Sequence, residues 1–242
     1  MKKLILIPII VLLFVVNALA MGPATLMMFS GGCVSGNDTF TGSNDDPPNT
    51  DLWTETDSTT YLDIQSNKLN YATLDDTTYR SSDITSTWTF PANSNFDVQI
   101  DFDVTTLDAP DSSLNYCPGI EIRNSGGSIK TQVIRVRTTT NDGYAKSGSA
   151  TGYDEYTQAD ATGKLRIVMT GCPGACVLKG YIWDAGNTQW EWEDNTDGVT
   201  FSEDYSAAAT YAKIQWLKQG TVGNTQVVGN VDNFTVNTGC PQ

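Results

Sequence analysis

Along NFDVQIDFDV (residues 95–104) apolar and polar side chains alternate. Val98, Ile100, Phe102 and Val104 fall on one side, and Asp97, Gln99, Asp101 and Asp103 on the other. A period of two belongs to a β-strand with one packed face and one wet face. Similar short runs, rich in Val, Ile, Thr, Tyr, Phe and Trp and broken by Gly, Pro, Asn and Asp, recur along the chain. They predict strands near 61–65, 68–74, 84–90, 118–124, 131–139, 164–170, 177–184, 188–193, 211–218 and 226–236. GYIWDAGNTQWEWE reads as a hairpin turning at Ala185-Gly186-Asn187. No segment sustains a helical period, and SAAATYAK (206–213) is only a short candidate. So many short strands with close turn signals predict an all-β sandwich or barrel. Residues 140–163, rich in Gly, Ser and Tyr, read as a long irregular loop of the kind that often carries function.

The first residues change the picture. MKKLILIPIIVLLFVVNALA has a two-lysine n-region, an apolar core and Ala18-Leu19-Ala20, the pattern of a secretory signal peptide over 1–20. The segment 21–37 follows with no charge between Lys3 and Asp38, and its MGPATLMMF is itself fairly apolar, so an uncut membrane anchor is a second reading. Lipidation at Cys33 is a third, although Ser30-Gly31-Gly32-Cys33 lacks the usual aliphatic residue of a bacterial lipobox. All three place the remainder outside the cytoplasm, secreted or at the cell surface. A membrane partner enters only through an uncleaved leader.

Charge narrows the partners. Residues 21–242 keep 12 of the 14 basic residues and all 28 acidic ones, a net charge of −16. That disfavours nucleic acid and anionic membrane surfaces, whose binding rests on Lys and Arg. The sequence has no histidine, which removes Ser-His-Asp and Cys-His catalysis and His-ligated zinc. Five cysteines in an exported chain suggest disulfides with one thiol left over. CPGAC predicts a Cys172–Cys176 clip around a Pro-Gly turn. Cys33 and Cys240 stand at the two ends of the folded region and form a second pair if the terminal strands are neighbours; Cys117 is then left over.

The order of several motifs resembles the concanavalin A-like lectin/glucanase superfamily. These are D-x-F-x-G with P-P-N-x-x-x-W (38–53), N-K-L (67–69), F-D-V-Q-I-D-F (96–102), K-L-R-I (164–167), Y-I-W-D with a following Trp (181–190) and V-D-N-F-T-V (231–236). The resemblance spans residues 38–238. It implies two packed antiparallel sheets in a jelly roll, as in laminin-G-like modules and laminarinase-type glycosidases. It also implies that Asp232 in the last strand binds a structural calcium ion with backbone carbonyls near the first strand, where Asp38 starts; oxygen ligands suit a hard cation. The ordinary alternative for both is a strand-end aspartate.

The glycosidases of that superfamily carry catalytic carboxylates as Glu-x-Asp-x-Glu on one strand. Gln99-Ile100-Asp101-Phe102-Asp103 has the alternation, but an amide stands at its first position and a shorter Asp at its last. A retaining mechanism needs a matched nucleophile and proton donor. Asp101 and Asp103 are therefore weak candidates; Glu191 with Glu193 and the single Glu121 are others. The polar side of this strand reads as a wet face. The aromatic cluster Tyr181, Trp183, Trp190 and Trp192 offers flat rings for the C–H faces of sugars, with Asp, Asn and Gln nearby for their hydroxyls. Filling the core is the competing role for such large rings. Tyr153 and Tyr156, in the long loop, are further glycan candidates. The leading expectation is an extracytoplasmic, non-catalytic, carbohydrate-binding jelly roll, as in an adhesin. A glycoside hydrolase or polysaccharide lyase with diverged residues, and a structural protein of a cell surface, filament or virion, are the alternatives.

Overall fold

The computed structural model describes residues 35–57, 61–110, 114–139, 142–148, 153–156, 160–172, 174, 176–184, 188–191, 210–219 and 223–238. The leader, Cys33, Cys240, Trp192, Glu193 and 206–209 lie outside these residues. The strands are β1 (Ser35–Asp38), β2 (Trp53–Asp57), β3 (Leu62–Gln65), β4 (Lys68–Ala72), β5 (Arg80–Ser86), β6 (Phe96–Leu107), β7 (Leu114–Asn124) and β8 (Ile129–Thr138). They continue with β9 (Asp142–Gly148), β10 (Tyr153–Tyr156), β11 (Thr162–Thr170), β12 (Val177–Asp184), β13 (Gln189–Glu191), β14 (Thr210–Lys218) and β15 (Val227–Thr238). No helix occurs among the described residues.

Two antiparallel sheets pack face to face. The first runs β13-β12-β11-β6-β15-β4-β3, with β1 also paired to β15; the second runs β10-β9-β8-β7-β14-β5-β2. β6 behaves as its alternation demands. Phe96, Val98, Ile100, Phe102 and Val104 are buried, while Asp97, Gln99, Asp101 and Asp103 are only half-buried on the opposite face. The core between the sheets gathers Leu69, Tyr71, Ile84, Ile120, Ile214 and Trp216, among others. At Gly229 of β15 the two layers approach so closely that a Cβ would lie 2.6 Å from the Cys117 sulfur, so glycine is required there. Cys117 is a free, buried thiol.

The first and last strands are neighbours, as expected. β1 lies antiparallel to β15, with Ser35 opposite Asn237 and Asp38 opposite Phe234. Asp38 also ties this edge to the other layer: its Oδ2 accepts the indole N–H of buried Trp53 at 2.7 Å, and the Trp53 ring meets Phe234 edge-on at 4.7 Å. A buried indole needs such a partner for its N–H. The Cys172–Cys176 bridge is present, with its Cα atoms 4.7 Å apart.

Three expectations are corrected. Residues 142–148 and 153–156 of the expected long loop are strands, β9 and β10, paired with each other and continuing the second sheet from β8. Their Gly, Ser and Ala carry no apolar alternation, and the hydrogen-bonding edge of β8 supplies the template instead. Residues 210–213 of the short helical candidate belong to β14, whose backbone is claimed on both sides by β5 and β7. The strand expected at 84–90 runs instead over Arg80–Ser86, with Phe90 kept only as an isolated bridge to Thr210.

Candidate functional site

Cross-strand register turns the polar side of β6 into the middle of a two-dimensional array. Asp101 lies opposite Asp232 of β15 on one side and Lys164 of β11 on the other. Two residues along, Gln99 lies between Thr235 and Arg166, and Arg166 is in turn opposite Tyr181 of β12. Asp103 lies between Asn230 and Thr162. Each position therefore receives a neighbour more than sixty residues away in sequence, within reach of a side-chain pair.

The array is electrostatically answered from within. Arg166 Nε donates to Asp97 Oδ1 at 2.8 Å, and its Nη2 pairs with Oδ2 in a fork. That carboxylate raises the Arg166 pKa above its ordinary value, against the opposing effect of burial. Asp101 accepts from three sides: Gln99 Nε2 at 3.2 Å, Lys164 Nζ at 3.4 Å and Asn233 Nδ2 at 3.1 Å. Asn233 reaches it from an irregularity in β15 between Asp232 and Thr235, where its φ is +49°. A bulge re-aims a side chain in this way, and asparagine tolerates the left-handed backbone. Asp101 is thus the hub of a hydrogen-bond network that joins β6 to β11 and β15.

Trp183 and Trp190 belong to the same face. The hairpin β12–β13 pairs them directly, and their rings meet edge to face with centroids 5.3 Å apart. Ile182 between Tyr181 and Trp183 is buried, whereas Tyr181, Trp183 and Trp190 are half-exposed. The core takes Trp53 and Trp216 instead. The Arg166 guanidinium lies 5.3 Å from the Trp190 centroid and 5.9 Å from that of Tyr181, a distance at which the cation is attracted to both rings. Burial raises the Tyr181 pKa, and the Arg166 charge opposes that rise.

Two open depressions mark the face, each of about 390 Å³. One runs from Trp183 past Lys164, Asp101, Asp103 and Asn230 to Lys68. The other holds Trp190, Arg166, Gln99, Asp97, Thr235 and Asn37. The aromatic pair, with one ring in each, stands at one side of both.

Other expected site residues fall elsewhere. Glu191 is opposite Ile182 in the register of β12 and β13, next to the Trp183–Trp190 pair along the strands. Glu193 and Trp192 lie outside the described residues. Tyr153 and Tyr156 bound β10 at an edge of the second sheet, a different layer from the tryptophans. Glu121 is in β7 of the second sheet and 1% exposed, bonded by Arg123 Nε and by the Gln215 amide. Asp38 Oδ1 accepts the Phe40 N–H and Oδ2 the Trp53 indole, while Asp232 accepts the Asn233 N–H. Among the described residues no group of three or more His, Cys, Asp or Glu is placed to hold a metal. Sequence reasoning singled out neither Arg166 nor Lys164 for this face; their spacing of two in K-L-R-I is the signal that places both on one side of a strand.

With this geometry the fold is defined as the concanavalin A-like jelly roll. No family model and no curated protein matches the chain. Solved structures do. Basic winged bean lectin with Tn-antigen superposes at a TM-score of 0.57 and 10% identity, covering 87% of this chain and 100% of the lectin. Lectin II from Ulex europaeus gives 0.55 and 11%, over 86% and 99% of the two chains. An immunostimulatory antigen and pseudo β-1,3-glucanase of Mycobacterium tuberculosis gives 0.51 and 11%, over 86% and 98%. At these identities the likeness is one of fold.

Proposed function

We propose that this chain is a non-catalytic carbohydrate-binding domain acting outside the cytoplasm, and that its glycan surface is the outer face of the first sheet. The observation that carries the reading is the half-exposed Trp183–Trp190 pair beside a row of carboxylates, amides and cations. Flat rings stack on the apolar faces of sugars, and the flanking polar groups exchange hydrogen bonds with hydroxyls. The absence of a matched acid and nucleophile at Asp101, which is spent on Gln99, Lys164 and Asn233, supports binding over cleavage. The Cys172–Cys176 bridge and the leader agree with an oxidising compartment. Lectin and pseudo-glucanase neighbours support a sugar as the ligand class.

The test is a glycan array and reducing-sugar release with the purified exported protein. Binding without release is expected. Release of reducing sugar that vanishes in Asp101→Asn, with melting unchanged, overturns the non-catalytic reading; no binding on any array overturns the glycan reading.

A further inference from the structure

We infer that the ligand of this face is an uncharged, extended glycan chain of about four or more units lying across the strands, with Trp183 at one end and Lys68 at the other. The inference rests on the glycan reading above and adds the class of glycan, its length and its direction.

Direction follows from the lining. The first depression draws Lys68 from β4, Asn230 and Asp232 from β15, Asp101 and Asp103 from β6, Lys164 from β11 and Trp183 from β12. These are five successive strands of the first sheet. A ligand filling it therefore crosses the strands. Four strand spacings of ~4.8 Å make ~19 Å, and at ~5 Å of advance per linked pyranose ring that is about four rings. A single terminal sugar would leave most of this length unused.

Charge fixes the class. Within the depression Lys68 and Lys164 face Asp101, Asp103 and Asp232, and Lys164 is already paired with Asp101. In the neighbouring depression Arg166 is paired with Asp97. The face thus holds no excess of cations, in a chain of net charge −14. A uronate or sulfate polymer would meet net repulsion here.

The experiment is titration calorimetry of the exported protein with neutral cello-, laminari- and manno-oligosaccharides of one to six units, and with alginate oligomers of the same lengths. In at least one neutral series, affinity should rise tenfold or more between two and four units and then level off, with alginate at least tenfold weaker. Trp183→Ala should weaken the tetramer more than tenfold and Trp183→Phe should restore most of it, with melting temperature as the folding control. Lys68→Ala should remove the gain from the third and fourth units. A monosaccharide that binds as tightly as the tetramer, tighter alginate, or a tetramer indifferent to Lys68→Ala overturns this inference and leaves the glycan reading standing. No binding of any oligomer overturns both.

Discussion

The outer faces of the two sheets obey different rules. On the first, β6 alternates strictly between buried and half-buried residues, and its carboxylates meet cations supplied by β11. On the second, β7 and β14 are buried over long stretches on both faces. There Glu121 is 1% exposed and held by Arg123 and Gln215, while Ile134 and Val136 pack with Leu114 and Tyr116 in a cluster of their own. The first face keeps its charges at the surface, where they are open to a ligand. The second sequesters Glu121, whose bonds to Arg123 and Gln215 serve the fold. A carboxylate on the outward side of a strand is a ligand group only where its neighbours leave it accessible.

β6 itself sets the scale for breaking this comparison. Phe102→Ala removes a ring that is 4% exposed and should cost ~3–5 kcal/mol by leaving a cavity. On the opposite side of the same strand, Asp101→Asn should stay within about 1 kcal/mol, since its partners remain solvent-accessible. Urea denaturation of the two variants decides it, and equal losses would remove the distinction between packed and wet sides.

Next in size is the buried carboxylate of the second sheet. Glu121→Ala strips Arg123 of its partner and should cost about 3 kcal/mol, the low end for a broken buried pair because Arg123 keeps 22% side-chain exposure. The same denaturation series checks it. A loss below that of Asp101→Asn would show that the second face is as wet as the first.

Calcium sharpens the first face. If Asp232 takes part in a calcium site, free calcium at ten times its Kd should stabilise the protein by ~1.4 kcal/mol. Asp232→Asn should abolish that gain, read as the difference in melting between calcium and chelator. An identical calcium response in the variant assigns the ion elsewhere.

The smallest expected effect is at alkaline pH. Burial, and then the Glu121 charge, raise the Tyr116 pKa; burial, and to a lesser degree the Asp97 charge, raise that of Tyr181, against Arg166. A raised phenol pKa gives stability that is present below the unfolded value of ~10 and is lost as pH rises beyond it. The wild type should therefore weaken above about pH 10. Tyr116→Phe should flatten that loss more than Tyr181→Phe, measured by denaturation at pH 8 and 10.5. The reverse ranking would place Tyr181 in the more apolar setting.

The sequence alone determined the alternation of β6, the hairpin carrying Trp183 and Trp190 and the Cys172–Cys176 clip, because each is encoded in residues close together along the chain, whereas the choice of a two-layer sandwich over a barrel rested on the order of motifs across 38–238. It did not reveal β9 and β10, whose Gly and Ser hydrogen-bond to a neighbouring strand without contributing an apolar pattern. Nor did it say that Asp101 and the tryptophans share one face while Glu121, an equally ordinary carboxylate in GIEIRN, is hidden on another sheet. Lys164 is 63 residues from Asp101 and Asn233 is 132 away, yet both donate to it. Local pattern sets which side of a strand a residue takes. Only the register between distant strands decides what stands beside it, because that register is fixed by packing and backbone pairing across the whole sheet.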